Sequence, residues 1–318
     1  MTEAQPSPPK RNPIIRAAIL IIIVLFIAKG SLNFIQSASG GSAPVTFDEQ
    51  RAFRDVQVQV NSGARIPDSQ AHIRTVEWLI SDLKIAGWQV ELQKTTLMGH
   101  AIQNVIAKRG APLQDVRTPL AQQPSWVILG AHYDSRLVAD KDPDPTKRQQ
   151  PVLGANDGAS GVAVLLELAR ILPRNFHKEV WLVFFDAEDN GGIEGWDWLL
   201  GSRAFADSLT RKPDAVVILD MIGDKDLNIY QEMNSTPALN QQIWDKAAAL
   251  GYQTVFIPKP KYSLLDDHTP FLQKGIPAVD IIDFDYPAWH TTTDTLDKVS
   301  PQSLKVVGDV VFAWLKDK

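Results

Sequence analysis

The chain has 318 residues, 44 % of them hydrophobic and 22 % charged, which excludes a disordered or collagen-like polymer. Its 32 Lys+Arg against 37 Asp+Glu leave a net charge of −5, with no electrostatic footprint for nucleic acid. There is no cysteine, which removes disulfides, thiolate metal sites and a thiol nucleophile together, so any metal must be held by His, Asp and Glu.

At the N-terminus Lys10, Arg11 and Arg16 precede the apolar run Ala17–Ala28, the pattern of a signal sequence. That run is too short for a hydrocarbon core of ~30 Å. It becomes long enough when Ile14, Ile15 and the stretch to Ile35 are added, with Lys29 snorkelling. The reading is a signal-anchor or transmembrane segment over residues 1–36 and a Gly/Ser-rich linker over 37–45. Residues 46–318 then form a catalytic domain outside the cytoplasm, membrane-anchored, or secreted if the leader is cut near Ser37–Ser39.

In chain order, Pro67-Asp68 opens a helical pattern with Ile73, Val76, Ile80 and Leu83 on one face, stopped by Gly87. Strands are predicted at Trp88–Leu92, Asn104–Ala107 and Trp126–Leu129, then a helix over Gly158–Leu172. The continuous apolar run Glu179–Phe185 is what a sheet-centre strand needs when helices cover both faces. The alternation continues with a helix Ser202–Leu209 and strands Ala215–Leu219 and Leu227–Tyr230. A helix Pro237–Leu250, a short helix Pro270–Gln273, a strand Ala278–Ile282 and a terminal helix Pro301–Trp314 complete it. Such alternation indicates a mostly parallel sheet in an α/β sandwich. Leu137–Leu153 is a polar excursion, read as a surface loop.

Ligands of open α/β sheets sit beyond the carboxyl ends of strands. The junctions there carry His132 in "GAHYDSR", Asp157 in "GANDG", Glu188-Asp189 after "VWLVFF", Asp220 after "AVVIL", and Asp266 and His290 around the last strand. Taken singly, each has a bland reading: Asp157 as a helix cap, Glu188-Asp189 as a solvated strand end, Asp220 as a turn acceptor, either histidine as structural. Together they form a cysteine-free set of imidazole and carboxylate suited to zinc. Neighbouring side chains diverge, so of Glu188 and Asp189 one can ligate a metal while the other serves as general base.

These motifs, with "GSRAFA", "LDMIG" and "DDHTPFLQKGIPAVDII…WHTTTDTLD" in order, resemble the zinc aminopeptidase superfamily and, within it, the animal-type glutaminyl cyclases. The resemblance runs from about Val56 to the C-terminus. It implies a three-layer α/β/α fold with a mixed, mostly parallel central sheet, peptide or protein N-termini as substrate, and zinc as cofactor. In the aminopeptidase form two zinc ions are implied, with His132 and Asp220 on one, Asp189 and His290 on the other, and Asp157 between. In the cyclase form one zinc is implied on Asp157, Asp189 and His290, with Glu188 as proton carrier and Asp220 and Asp266 as a hydrogen-bonded acidic pair.

Three features resemble the cyclase branch. A long loop, Asn190–Leu200, separates the acidic pair from "GS" and carries Trp196 and Trp198; Trp289 precedes His290; and Asp266–His268 reads "DDH". Trp289 with Trp196 or Trp198 would wall a small apolar slot. Three features depart from it. Asp189 stands where relatives usually carry glutamate, Asp280 where animal cyclases carry a histidine, and the animal enzymes' disulfide has no counterpart. The readings carried forward are a glutaminyl-peptide cyclotransferase, a zinc aminopeptidase, and a binding protein without catalysis.

Overall fold

A computed structural model describes residues 45–110, 126–176 and 178–317. The predicted anchor over 1–36 and nearly all of the linker lie outside the described residues. Among the described residues no helix is long and apolar enough to cross a membrane.

Helix α1 (Glu49–Ser62) starts at Asp48, whose side chain accepts from Arg51 N. The sequence reading missed it because its buried face includes Asp55 and Gln59, which break the apolar period. Helix α2 (Gln70–Ile85) is capped by Ser69, which accepts from His72 N. Next come β1 (Gln89–Leu97) and β2 (His100–Arg109), an antiparallel hairpin longer than predicted, turned by Met98 and Gly99 at positive φ.

β3 (Trp126–His132), α3 (Ala159–Ile171), β4 (Glu179–Phe185), α4 (Leu200–Ser208) and β5 (Ala215–Asp220) follow. Beyond them lie β6 (Ile229–Gln231), α5 (Pro237–Ala249), β7 (Phe256–Pro260), α6 (Thr269–Gln273), β8 (Ala278–Ile282) and α7 (Pro301–Asp317). β7 was not predicted; its sequence Phe-Ile-Pro-Lys-Pro holds two prolines, and it pairs only with β6.

The main sheet has the order β1-β2-β4-β3-β5-β8. β4, β3, β5 and β8 are mutually parallel, and β2 joins β4 antiparallel, so the sheet is mixed and mostly parallel. Side chains alternate cleanly: Val127, Leu129 and Ala131 of β3 face the core formed with α1, α2, α3, α5 and α7, whereas Trp126 and Ile128 face α4 and α6. The result is the expected three-layer α/β/α sandwich. One glycine decides where α3 lies. A Cβ on Gly161 would fall 2.1 Å from the Leu219 carbonyl oxygen, so only glycine lets α3 press onto β5.

The Leu137–Leu153 excursion differs from a plain surface loop. Its Asp142 is buried and accepts from Thr292 N at 2.9 Å, and Lys141 N donates to His290 O at 3.2 Å. The excursion braces the segment that carries His290.

Candidate active site

The predicted cluster forms at the carboxyl ends of the parallel strands. β3 ends in His132, β5 in Asp220, β4 leads into Glu188-Asp189, and the turn before α3 brings in Asp157. All are buried. His132 Nε2 lies 3.1 Å from Asp157 Oδ1 and 3.2 Å from Asp220 Oδ1. His290 Nε2 lies 2.8 Å from Asp189 Oδ1 and 3.8 Å from Asp157 Oδ2. The atoms fall into two sets, His132–Asp157–Asp220 and Asp157–Asp189–His290, with Asp157 common to both and the ligand atoms of each set within 4.8 Å of one another.

Asp157 does not act as a helix cap: Gly158 is the N-cap of α3 and no side chain caps it. Instead the Asp157 backbone is held from behind. Asp294 accepts from Asn156 N at 2.8 Å and Asp157 N at 3.1 Å, and itself receives Tyr286 OH at 2.7 Å. Asp134 does the same for the acidic pair, accepting from Glu188 N at 3.1 Å and Asp189 N at 3.3 Å. Fully buried Arg65 donates to the carbonyls of Tyr133, Leu153 and Gly154, fixing the approach to Asp157. Backbone strain concentrates here: Ala187, Met221 and His290 have φ of 51°, 46° and 56°, each next to or at a site residue.

Sequence reasoning missed Asp134, Asp294, Arg65, Arg136 and Asp140. Asp134, Arg136 and Asp294 lie inside quoted motifs, "GAHYDSR" and "WHTTTDTLD", but they act on backbone amides and carbonyls, which no spacing of side chains announces.

The electrostatics follow from crowding like charges away from water. Burial pushes the Glu188 carboxyl well above its usual range; His132 opposes this, and Asp189, Asp266 and Asp267 add to it. Burial likewise lifts Asp220 to about 7 against the pull of His132, and raises Asp189 with help from Asp157. Burial resists charging His132, yet Asp220, Asp134 and Asp157 outweigh it and raise its pKa. A divalent cation would resolve this excess of carboxylate. The donor set fits one: Asp189 Oδ2 is buried without a hydrogen-bond partner, and the separations above suit the tetrahedral edge of about 3.3 Å implied by zinc–ligand bonds.

The cluster opens into a pocket of about 270 Å³, whose lining includes Glu188, Asp266, Trp198 and Trp289. The His290 ring stacks on Trp289 at 3.8 Å and faces Trp198 at 6.1 Å. Of the two candidate loop tryptophans, Trp198 lines the pocket and Trp196 does not. Trp196 stacks on His100 at 3.5 Å and packs against Ile102, Ala187 and Leu200, which draws it to the far side of the loop. Of the expected acidic pair, Asp220 feels the charge of Asp266, and so does a third carboxyl, Asp280, both of whose oxygens are buried without a hydrogen-bond partner. Asp280 is fully buried on β8, outside the pocket lining, with His268 Nδ1 at 3.9 Å.

Residues 115–315 match a family described as peptidase family M28. A glutaminyl-peptide cyclotransferase of Boiga irregularis is 27 % identical over 275 residues, covering 72 % of this chain and 70 % of that protein. The crystal structure of Porphyromonas gingivalis glutaminyl cyclase aligns with a TM-score of 0.77 at 32 % identity, over 85 % of this chain and 98 % of that one. A leucine aminopeptidase precursor from Bacteroides thetaiotaomicron aligns equally well, with a TM-score of 0.77 at 29 % identity, over 87 % and 100 %.

Proposed function

The chain belongs to peptidase family M28, and on that footing we propose that it is a glutaminyl-peptide cyclotransferase, converting N-terminal glutamine to pyroglutamate with release of ammonia. The observation that carries this reading is the small pocket in which Trp198, His290 and Trp289 wall one side and Glu188 and Asp266 supply acid groups. A slot of this size suits one compact side chain folded back toward its own α-amine.

In this reading the α-amine attacks the carbon of the side-chain amide. The new C–N bond closes a five-membered lactam, and the amide C–N bond breaks. Glu188 takes the amine proton and delivers it to the departing nitrogen, which leaves as ammonia. Burial raises its proton affinity well above that of an exposed carboxylate, which suits it to hold the proton between the two transfers. Asp266, at the pocket wall, accepts from the substrate ammonium before it is deprotonated. A zinc ion on Asp157, Asp189 and His290 would polarise the amide carbonyl. Trp198 and Trp289 orient the side chain and exclude water, which would otherwise compete as nucleophile.

A second reading has a specific observation behind it. His132, Asp157 and Asp220 form a further ligand set, as a two-zinc aminopeptidase would use, with Glu188 then activating water. Mass analysis of a Gln-headed peptide after incubation separates the two. Loss of about 17 Da, one ammonia, supports cyclisation; loss of the whole first residue supports the peptidase. The basic-flanked apolar run of the leader further assigns the domain an extracytoplasmic place, which cell fractionation tests.

A further inference from the structure

The β1–β2 hairpin reaches beyond the sheet. Only Val105–Arg109 of β2 pair with β4, whereas His100–Asn104 have β1 as their sole strand partner. The hairpin's end meets the loop that carries Trp198. The His100 ring lies flat on Trp196, 3.5 Å between centroids and 13° between planes, and His100 Nε2 is 3.0 Å from the Gly195 carbonyl oxygen. A carbonyl can only accept, so Nε2 carries the proton.

This loop needs an outside hold. Gly192 and Gly195 have positive φ, and a Cβ on either would meet nothing within 4 Å. Trp198 lies against Gly191, where a Cβ would fall 2.1 Å from the indole. The wall of the pocket therefore sits on a glycine-rich segment, held on one side by Arg136, whose guanidinium lies 5.1 Å over the Trp198 ring and donates to the Gly191 carbonyl at 3.3 Å. Two residues before Trp198, Trp196 is gripped by His100.

We propose that His100 is a positioning residue for the pocket: through Trp196 and the Gly195 carbonyl it fixes the loop so that Trp198 faces His290 and completes the wall against the substrate's first residue. The proposal rests on the pocket reading above, though not on which reaction occurs there. His100 touches neither the acid cluster nor the reacting atoms, so its removal acts on substrate binding.

Steady-state kinetics of His100→Ala, Trp198→Ala and the double variant test this, with hydrogen exchange as a second readout. KM of His100→Ala should rise about tenfold, the loss expected for one aromatic stack and one hydrogen bond, with kcat unchanged and the thermal midpoint lowered only slightly. His100→Phe, which keeps the stack, should recover part of that loss. The double variant should be no worse than Trp198→Ala alone, because the clasp acts only through Trp198. Amides of residues 190–199 should exchange faster in His100→Ala and nowhere else. An unchanged KM, additive losses, or unaltered exchange of the loop overturns the proposal. If the wild type fails to cyclise glutamine, the exchange measurement still decides the clasp, so the two failures are distinguishable.

Discussion

Arg136 holds Asp189 twice: Nη1 donates to the Asp189 carbonyl oxygen at 2.7 Å and lies 3.7 Å from its carboxylate Oδ1. The same guanidinium donates through Nε to Asp140 at 2.6 Å, and Asp140 Oδ1 is 3.6 Å from His290 Nδ1. One buried arginine thus orients two of the three residues proposed to hold the metal. Asp189, with one methylene fewer than glutamate, has less freedom to find a cation unaided.

Arg136→Lys keeps the charge but loses the fork that serves both Asp189 and Asp140. Outer groups that orient metal ligands typically matter by 10–100-fold in affinity, so zinc should bind at least about tenfold more weakly. Competition with a chromophoric chelator measures it. Wild-type affinity in the variant would remove Arg136 from the metal site's support.

Glu188→Gln removes the proton carrier while leaving the proposed ligands Asp157, Asp189 and His290 intact. Activity should fall by about 10²–10⁴-fold, the range for a positioned acid–base group, with zinc content unchanged. Turnover and metal analysis on the same sample check this. A variant that turns over normally would show the proton to travel by another route.

Much of this was legible because strand ends announce themselves. An apolar run such as Glu179–Phe185 followed at once by charged residues fixes both the strand and where its chemistry projects. His132, Glu188, Asp189 and Asp220 were found in that way. What stayed hidden depends on contacts between distant segments. Trp196 and Trp198 are equivalent by composition, and only the hairpin's His100 divides them into anchor and wall. Helix α1 was missed because Asp55 and Gln59 are buried by virtue of partners on α3, including the Ala159 carbonyl that Gln59 reaches at 3.1 Å. Asp280, read only as a missing histidine, is a fully buried carboxyl whose pKa is raised by burial and further by the charges of Asp266 and Asp220.

Glu232 offers a stability test away from the chemistry. Its buried carboxylate accepts from Asn234 N, Ser235 N, Ser235 Oγ and Leu264 N at 2.7–3.0 Å, and His268 Nε2 lies 3.2 Å away. Burial pushes its pKa up, but His268 and these amides prevail and hold it at about 2, against an ordinary 4.5. A depressed pKa contributes stability that is complete above the unfolded value and lost as pH falls from 4.5 toward 2. Glu232→Gln should therefore cost about 3 kcal/mol at neutral pH, with the gap to wild type narrowing below pH ~4.5. Urea unfolding at a series of pH values measures the gap, and a gap constant down to pH ~2 would contradict the ionised state.

Metal removal bears on the whole cluster. Without a cation, Asp157, Glu188, Asp189 and Asp220 face one another out of water, and the raised pKa values of Glu188, Asp189 and Asp220 record that cost. Zinc bound to the folded state alone, at a hundredfold excess over its Kd, stabilises by about 2.7 kcal/mol. For a domain of this size that corresponds to a rise in Tm of about 5 °C after zinc is returned to chelated protein. Asp157→Asn should abolish the rise, since Asp157 belongs to both ligand sets. Asp220→Asn should leave it intact if one zinc sits on Asp157, Asp189 and His290, and should halve the bound zinc if two are held. A midpoint indifferent to zinc in the wild type, or a shift that survives Asp157→Asn, would place the cation elsewhere.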